Sequence, residues 1–196
     1  EVSDFELTFK YRMVAGNSGM QYRSQVVSQN DETGPIVGGY QADFEAGKTY
    51  SGINYEERGR GILALRGERT KLTADPADKT KMVKTVVGPT EKTSDELQAT
   101  IKNEDWNEYR IVAKGNRLQH FINGNMTSEV VDEHAELERQ LSQPETHADA
   151  RLAKKLNQRY AELTAIVTTW REWQQTAGDI EAALGCAFLP TLGHEA

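Results

Sequence analysis

The residues with the means to do chemistry fall into three groups. Arg23, Gln41 and Asp43 occupy alternate positions of two segments in which polar and apolar residues take turns, so strand parity puts all three on polar sheet faces. Asp43 could act there as a general base, with Arg23 and Gln41 as charged and neutral hydrogen-bonding partners. Glu56, Glu57 and Arg60 crowd into a second, glycine-rich segment, YEERGRG at 55–61. His120 is the one histidine before residue 133, and its side chain ordinarily titrates near neutral pH, which suits it to proton transfer. Trp106 and Tyr109 offer flat rings on which a ligand could stack. Each group also has a purely structural reading: a salt-bridged solvated face, a charged loop, a satisfied strand histidine and aromatic packing. Asp43, Glu56 and His120 together would make an oxygen-and-nitrogen ligand set, yet no spacing demands a metal, and none is expected. No particular cofactor is implied.

The elements that must position these residues change character along the chain. Residues 1–132 hold 13 of the 16 glycines and six of the seven tyrosines, whereas residues 133–196 hold 11 of the 19 alanines. Glycine-punctuated alternation predicts short strands over 4–13, 20–27, 38–44, 106–113 and 118–123, with turns at Gly115-Asn116 and Asn123-Gly124. The stretch 54–102 is less regular and is expected to be long loops on that β scaffold. Beyond it, Leu152, Leu156, Tyr160, Leu163, Val167 and Trp170 advance by threes and fours, which predicts a long amphipathic helix. A shorter helix is expected over 135–141, ended before Pro144, so the second half should be a helical hairpin. The expected domains are therefore 1–132, 133–184 and a coil tail at 185–196.

Thirty acidic against 23 basic residues give a formal charge of −7, which removes the broad attraction that nucleic-acid binding rests on. No run approaches the roughly 18 apolar residues of a membrane-spanning helix. A single cysteine, Cys186, allows no disulfide within the chain.

Four passages, DFELTFKYR at 4–12, NSGMQYRSQ at 17–25, GYQAD at 39–43 and WNEYRIVAKGNRLQHFING at 106–124, together with YEERGRG, resemble the 3-keto-disaccharide hydrolase family. The resemblance implies a mainly β fold, an antiparallel jelly-roll sandwich of the concanavalin-like kind, here expected to be incomplete at both ends. It also implies a carbohydrate partner and cleavage of a glycoside already oxidised at C3. In such a reaction Asp43, His120 or Glu56 would take the acidified C2 proton, and Arg23, Gln41, Arg60, Glu57 and Trp106 would bind substrate. By the same resemblance the location would be periplasmic or secreted, and otherwise cytoplasmic, since no signal segment opens the sequence. The alternative within the same fold is a lectin-like module that binds sugar without turnover.

Residues 135–183, from AELERQLSQP through RYAEL to REWQQ, resemble the N-terminal helical segment of bacterial class I peptide chain release factors. No Gly-Gly-Gln tip occurs, so no translational activity is carried over and ribosome binding is not expected. Two unrelated resemblances in one chain read as a chimera.

Overall fold

The computed structural model describes residues 4–30, 34–75, 77, 82–141 and 143–187. Two sheets face each other. The larger runs in the order β1 (Phe5–Tyr11), β8 (Asn107–Lys114), β9 (Arg117–Ile122), β10 (Asn125–Asp132), β6 (Glu68–Ala74) and β7 (Met82–Pro89). The smaller has β2 (Asn17–Asn30), β3 (Gly34–Glu45), β4 (Asn54–Glu57) and β5 (Gly61–Ala64). All pairs are antiparallel except β10 with β6, which is parallel. A short helix, α1 (Ser94–Ala99), is started by a capping box in which Thr93 and Glu96 satisfy each other's backbone N–H groups.

Alternation explains the core. Phe5, Leu7, Phe9 and Tyr11 of β1 turn inward while Glu6, Thr8 and Lys10 face water. Tyr22, Tyr40, Ala42 and Phe44 of the small sheet meet Tyr109, Ile111, Leu118 and Ile122 of the large one. The layer between the sheets is unusually aromatic: Phe9 stacks on Tyr109 at 5.4 Å and Tyr11 on Phe44 at 4.6 Å between ring centroids.

The stretch 54–102, expected to be loops, instead supplies β4 to β7 and α1. Its charged and glycine-rich composition hid the strands, because β4 carries a charge on each face and β7 is an exposed edge. A strand, β10, also follows the Asn123-Gly124 turn, inside the expected 1–132 domain but beyond its last expected strand.

The second half forms α2 (Glu133–Leu141), a single turn α3 (Pro144–Ala148) and a long α4 (Ala150–Ala187). The Asp149 carboxylate starts α4 by accepting the N–H groups of Arg151 and Leu152, both at 3.0 Å. The two longer helices pack as a hairpin: Leu137 and Leu163 are buried together, His134 stacks on Tyr160, and Arg159 pairs with Glu133 at 2.8 Å. Ala74 and Met82 of β6 and β7 close that cluster, so the hairpin lies on one margin of the large sheet. Helix continues through Gly185–Ala187, expected to be coil; the remainder of that tail, 188–196, lies outside the described residues. No described helix is long and apolar enough to cross a membrane.

Candidate functional site

On the small sheet, the side chains opposite the aromatic core form one polar row. Gln21 pairs across β2 and β3 with Gln41, which in turn lies opposite Tyr55 of β4. Gln21 Nε2 donates to Gln41 Oε1 at 3.1 Å, and Gln41 Nε2 donates to Asp43 Oδ1 at 2.6 Å. Gly19 makes room for this row, since a Cβ there would stand 2.5 Å from the Gln41 side chain.

Asp43 is only 6% exposed. Burial pushes its carboxyl up to about 6 against a usual 3.8; the Gln41 hydrogen bond opposes the rise, and the nearby charges of Glu57 and Glu45 add to it. A carboxylate tuned this way is a stronger base than an exposed one and is still mostly ionised at pH 7. Tyr55 sits within the field of Asp43 and Glu57, and burial with those two charges raises its phenol above the ordinary value. It therefore keeps its proton and can donate. The row thus offers a base, a donor and an amide relay on one face.

The other expected residues are distributed elsewhere. Glu56 and Glu57 are neighbours on a strand, so they take opposite faces: Glu57 shares the Asp43 side, and Glu56 turns into the interior. There Glu56 accepts from Arg60, whose Nη2 also reaches Asp132 Oδ2 at 2.6 Å, and Tyr40 donates its hydroxyl to the same oxygen at 2.7 Å. Burial alone would raise Asp132, but Arg60 and the Tyr40 hydroxyl hold it below the usual carboxylate range. Glu56 and Arg60 are therefore members of a buried ion network. Gly59 permits it, because a Cβ at that position would stand 2.4 Å from the Glu56 carboxyl.

His120 is fully buried in the core. Its Nδ1–H donates to the Ile53 carbonyl at 3.1 Å, which leaves Nε2 to accept from the Tyr22 hydroxyl at 2.9 Å. Asn54 Nδ2 then donates to the Tyr22 oxygen at 3.2 Å. Burial pulls the imidazole down to about 4, partly opposed by the Ile53 carbonyl, so it stays neutral and lies across the sheet from Asp43.

Arg23 departs from the polar row because a bulge between Tyr22 and Gln25 breaks the parity, with Arg23 itself at φ 46°. Its guanidinium donates to the Gly115 carbonyl at 2.7 Å and pairs with Asp4 at 3.5 Å. Trp106 is exposed just before β8, with the Arg12 guanidinium 5.7 Å from its ring centre. Of the eight expected residues, the structure groups Gln41, Asp43 and Glu57. It adds Gln21, the cross-strand partner of Gln41, and Tyr55, which simple alternation through 54–57 marks as facing outward. Among the described residues no three His, Cys, Asp or Glu side chains are placed to hold a metal, and Asp43, Glu56 and His120 do not converge.

A family model of the 3-keto-alpha-glucoside-1,2-lyase-like domain matches residues 1–155, and a PCRF domain model matches residues 130–187. The helical end is also similar to peptide chain release factor 1 of Streptomyces avermitilis, 58% identical over 55 residues, which are 28% of this chain and 15% of that protein. The same factor from Nocardioides is 67% identical over 51 residues, 26% of this chain and 14% of its own length. That from a Mycobacterium species is 53% identical over 51 residues, again 26% and 14%. The chain thus spans about one-seventh of the length of these curated relatives.

Proposed function

Since the chain belongs to the 3-keto-alpha-glucoside-1,2-lyase-like domain family, we propose that the Asp43 row acts on glycosides carrying a ketone at C3. The observation that supports this reading is the Asp43 carboxyl, held under Gln41 on the outward sheet face and raised to about 6. A C3 ketone acidifies the C2–H bond. Asp43 takes that proton, and the bonding pair moves onto the C3 oxygen as an enolate. The enolate returns the pair, C1=C2 forms, and the C1–O bond breaks. Tyr55 supplies the proton to the departing oxygen. Addition of water across C1=C2 then completes a net hydrolysis. Gln41 and Gln21 orient the base and contact sugar hydroxyls, and Glu57 borders the row.

The chemistry needs one tuned base and one donor instead of the paired carboxylates of an ordinary glycosidase. The helical hairpin contributes no group to this row, and no part in translation is proposed for it. Incubating the full chain with a nitrophenyl 3-keto-α-glucoside and following nitrophenol release tests the reading. Release that is lost in Asp43→Asn is expected. Saturable binding of that glycoside without any release would overturn catalysis in favour of a lectin-like module, and release unchanged in Asp43→Asn would overturn the assignment of the base.

A further inference from the structure

The outer face of the large sheet, on the far side of the sandwich from the Asp43 row, is built around one carboxylate. Glu129 of β10 is only 2% exposed, although strand parity turns it away from the core. Arg69 of β6 donates through Nε to its Oε1 at 2.9 Å, Arg117 of β9 through Nε to its Oε2 at 2.7 Å, and Gln119 Nε2 to the same Oε2 at 2.6 Å. Burial alone would raise the Glu129 carboxyl; the hydrogen bonds from Arg117, Arg69 and Gln119 outweigh it and hold the group below its usual range. An arginine that serves only to neutralise a carboxylate does so most fully with two parallel N–H groups. Here each spends Nε alone. Among the described residues the Nη groups of Arg69 and Arg117 have no partner, and the two side chains are 41% and 52% exposed. Glu129 thus fixes two guanidiniums and leaves their outer donors facing solvent.

Strand register extends the patch. Lys114 of β8 lies opposite Arg117, and Arg117 and Lys71 flank Val131 of β10 from its two sides. Lys114, Arg117 and Lys71 therefore stand in one line across four strands, about 14 Å long at a strand spacing of about 4.8 Å, with Arg69 beside it. Both lysines are exposed. Asp4, at the end of this line, accepts the Gly115 N–H and pairs with Arg23, so it is already engaged. Four cations around one buried carboxylate make a basic strip on a chain of formal charge −7. An open sheet face does not enclose a small ion as a pocket does, so the complement of the strip is an extended polyanion. Guanidinium forks match carboxylates in shape as well as sign. Nucleic acid fits less well. Phe121, on the same face of β9, has the Arg110 guanidinium over its ring at 3.9 Å, which takes the face a base would stack on. The negative charge of the whole chain also opposes a dense polyphosphate.

We propose that this strip docks a carboxylated polysaccharide, the Arg69 and Arg117 guanidiniums gripping uronate carboxylates and Lys71 and Lys114 extending the contact along the polymer. The proposal does not rest on catalysis at Asp43. Calorimetric titration of the full chain with polygalacturonate at low salt, beside uncharged dextran, tests it. Saturable binding of polygalacturonate is expected, falling as salt rises, with none of dextran. Lys71→Glu combined with Lys114→Glu should weaken it about tenfold. Neither lysine has a hydrogen bond or ion pair among the described residues, so that variant should melt with the wild type and its weaker binding cannot be ascribed to unfolding. Arg117→Gln should also weaken binding, while Arg69 and Gln119 keep Glu129 paired. Asp43→Asn should bind as the wild type does. No saturable binding of polygalacturonate, equal binding of dextran, or binding unchanged in both strip variants would each overturn the proposal. Tighter binding of single-stranded oligothymidylate would overturn it in favour of nucleic acid, and loss of binding in Asp43→Asn would overturn it in favour of the Asp43 row.

Discussion

The Gln41 amide lies across Asp43, donating to Oδ1 at 2.6 Å while its own oxygen accepts from Gln21. Gln41 therefore stabilises the ionised form of a carboxylate that burial disfavours. The acid limb of kcat/KM for a 3-keto-glucoside should fall tenfold per pH unit below about pH 6 in the wild type. In Gln41→Leu the limb should move to higher pH, because the stabilising donor is gone. Gly19→Ala should move it the same way by displacing the Gln41 side chain. A limb that stays in place in both variants would contradict the role of Gln41.

Asp43 and His120 should drive stability in opposite directions with pH. Asp43 binds its proton more readily folded than unfolded, so its ionisation costs stability as pH rises from its usual 3.8 through about 6. His120 resists protonation in the fold, so stability is lost as pH falls from the usual 6.5 toward about 4. Asp43→Asn should gain on the order of 1 kcal/mol at pH 7 and then lose stability more steeply on acidification. His120→Ala should lose about 2–4 kcal/mol at pH 7, through a cavity and the stranded Tyr22 and Asn54 groups, with a flatter acid side. Thermal melts between pH 4 and 7 decide this, and parallel curves for all three proteins would refute it.

Removing one partner from the Arg60 network should be far costlier than its exposed counterparts suggest. Asp132→Ala leaves a buried guanidinium with half its compensation and should cost about 3–5 kcal/mol, measurable by urea unfolding. The surface pair Arg110–Glu6 at 3.2 Å should cost under about 1 kcal/mol when broken by Glu6→Ala.

Two edges of the sandwich carry exposed valines, Val26 and Val27 on β2 and Val86 and Val87 on β7. Unprotected apolar edges invite pairing with other chains. Val26→Lys together with Val86→Lys should slow self-association, followed by light scattering, with little change in melting temperature. Equal scattering would show that association runs through another surface.

Much of the sandwich was legible because period-two alternation is strong where one face is aromatic. DFELTFKY and GYQADF reveal their inward sides residue by residue, and Gln41 and Asp43 follow from the same count. The count failed at Arg23, where one bulge reverses parity. At YEERGRG glycines and charges resemble a loop, which masks the alternation that separates Glu56 from Glu57. His120 misled for a different reason: its type suggests proton transfer, but whether a histidine titrates near neutral depends on burial, which neighbours distant in sequence decide. Tyr22, Ile53 and Tyr109 are those neighbours. The helical stripe was visible as a period, but not the sheet margin that covers it.

Asp132 closes β10 with one carboxylate oxygen on Arg60 and Tyr40, while the other accepts the N–H of His134 in the first turn of α2. That residue falls where the two family matches overlap, at 130–155. A single side chain thus clamps the start of the release-factor-like segment to the interior of the sugar-family sandwich. A swap of helical segments downstream of it would have to inherit Asp132 to keep both the Arg60 network and the start of α2 satisfied.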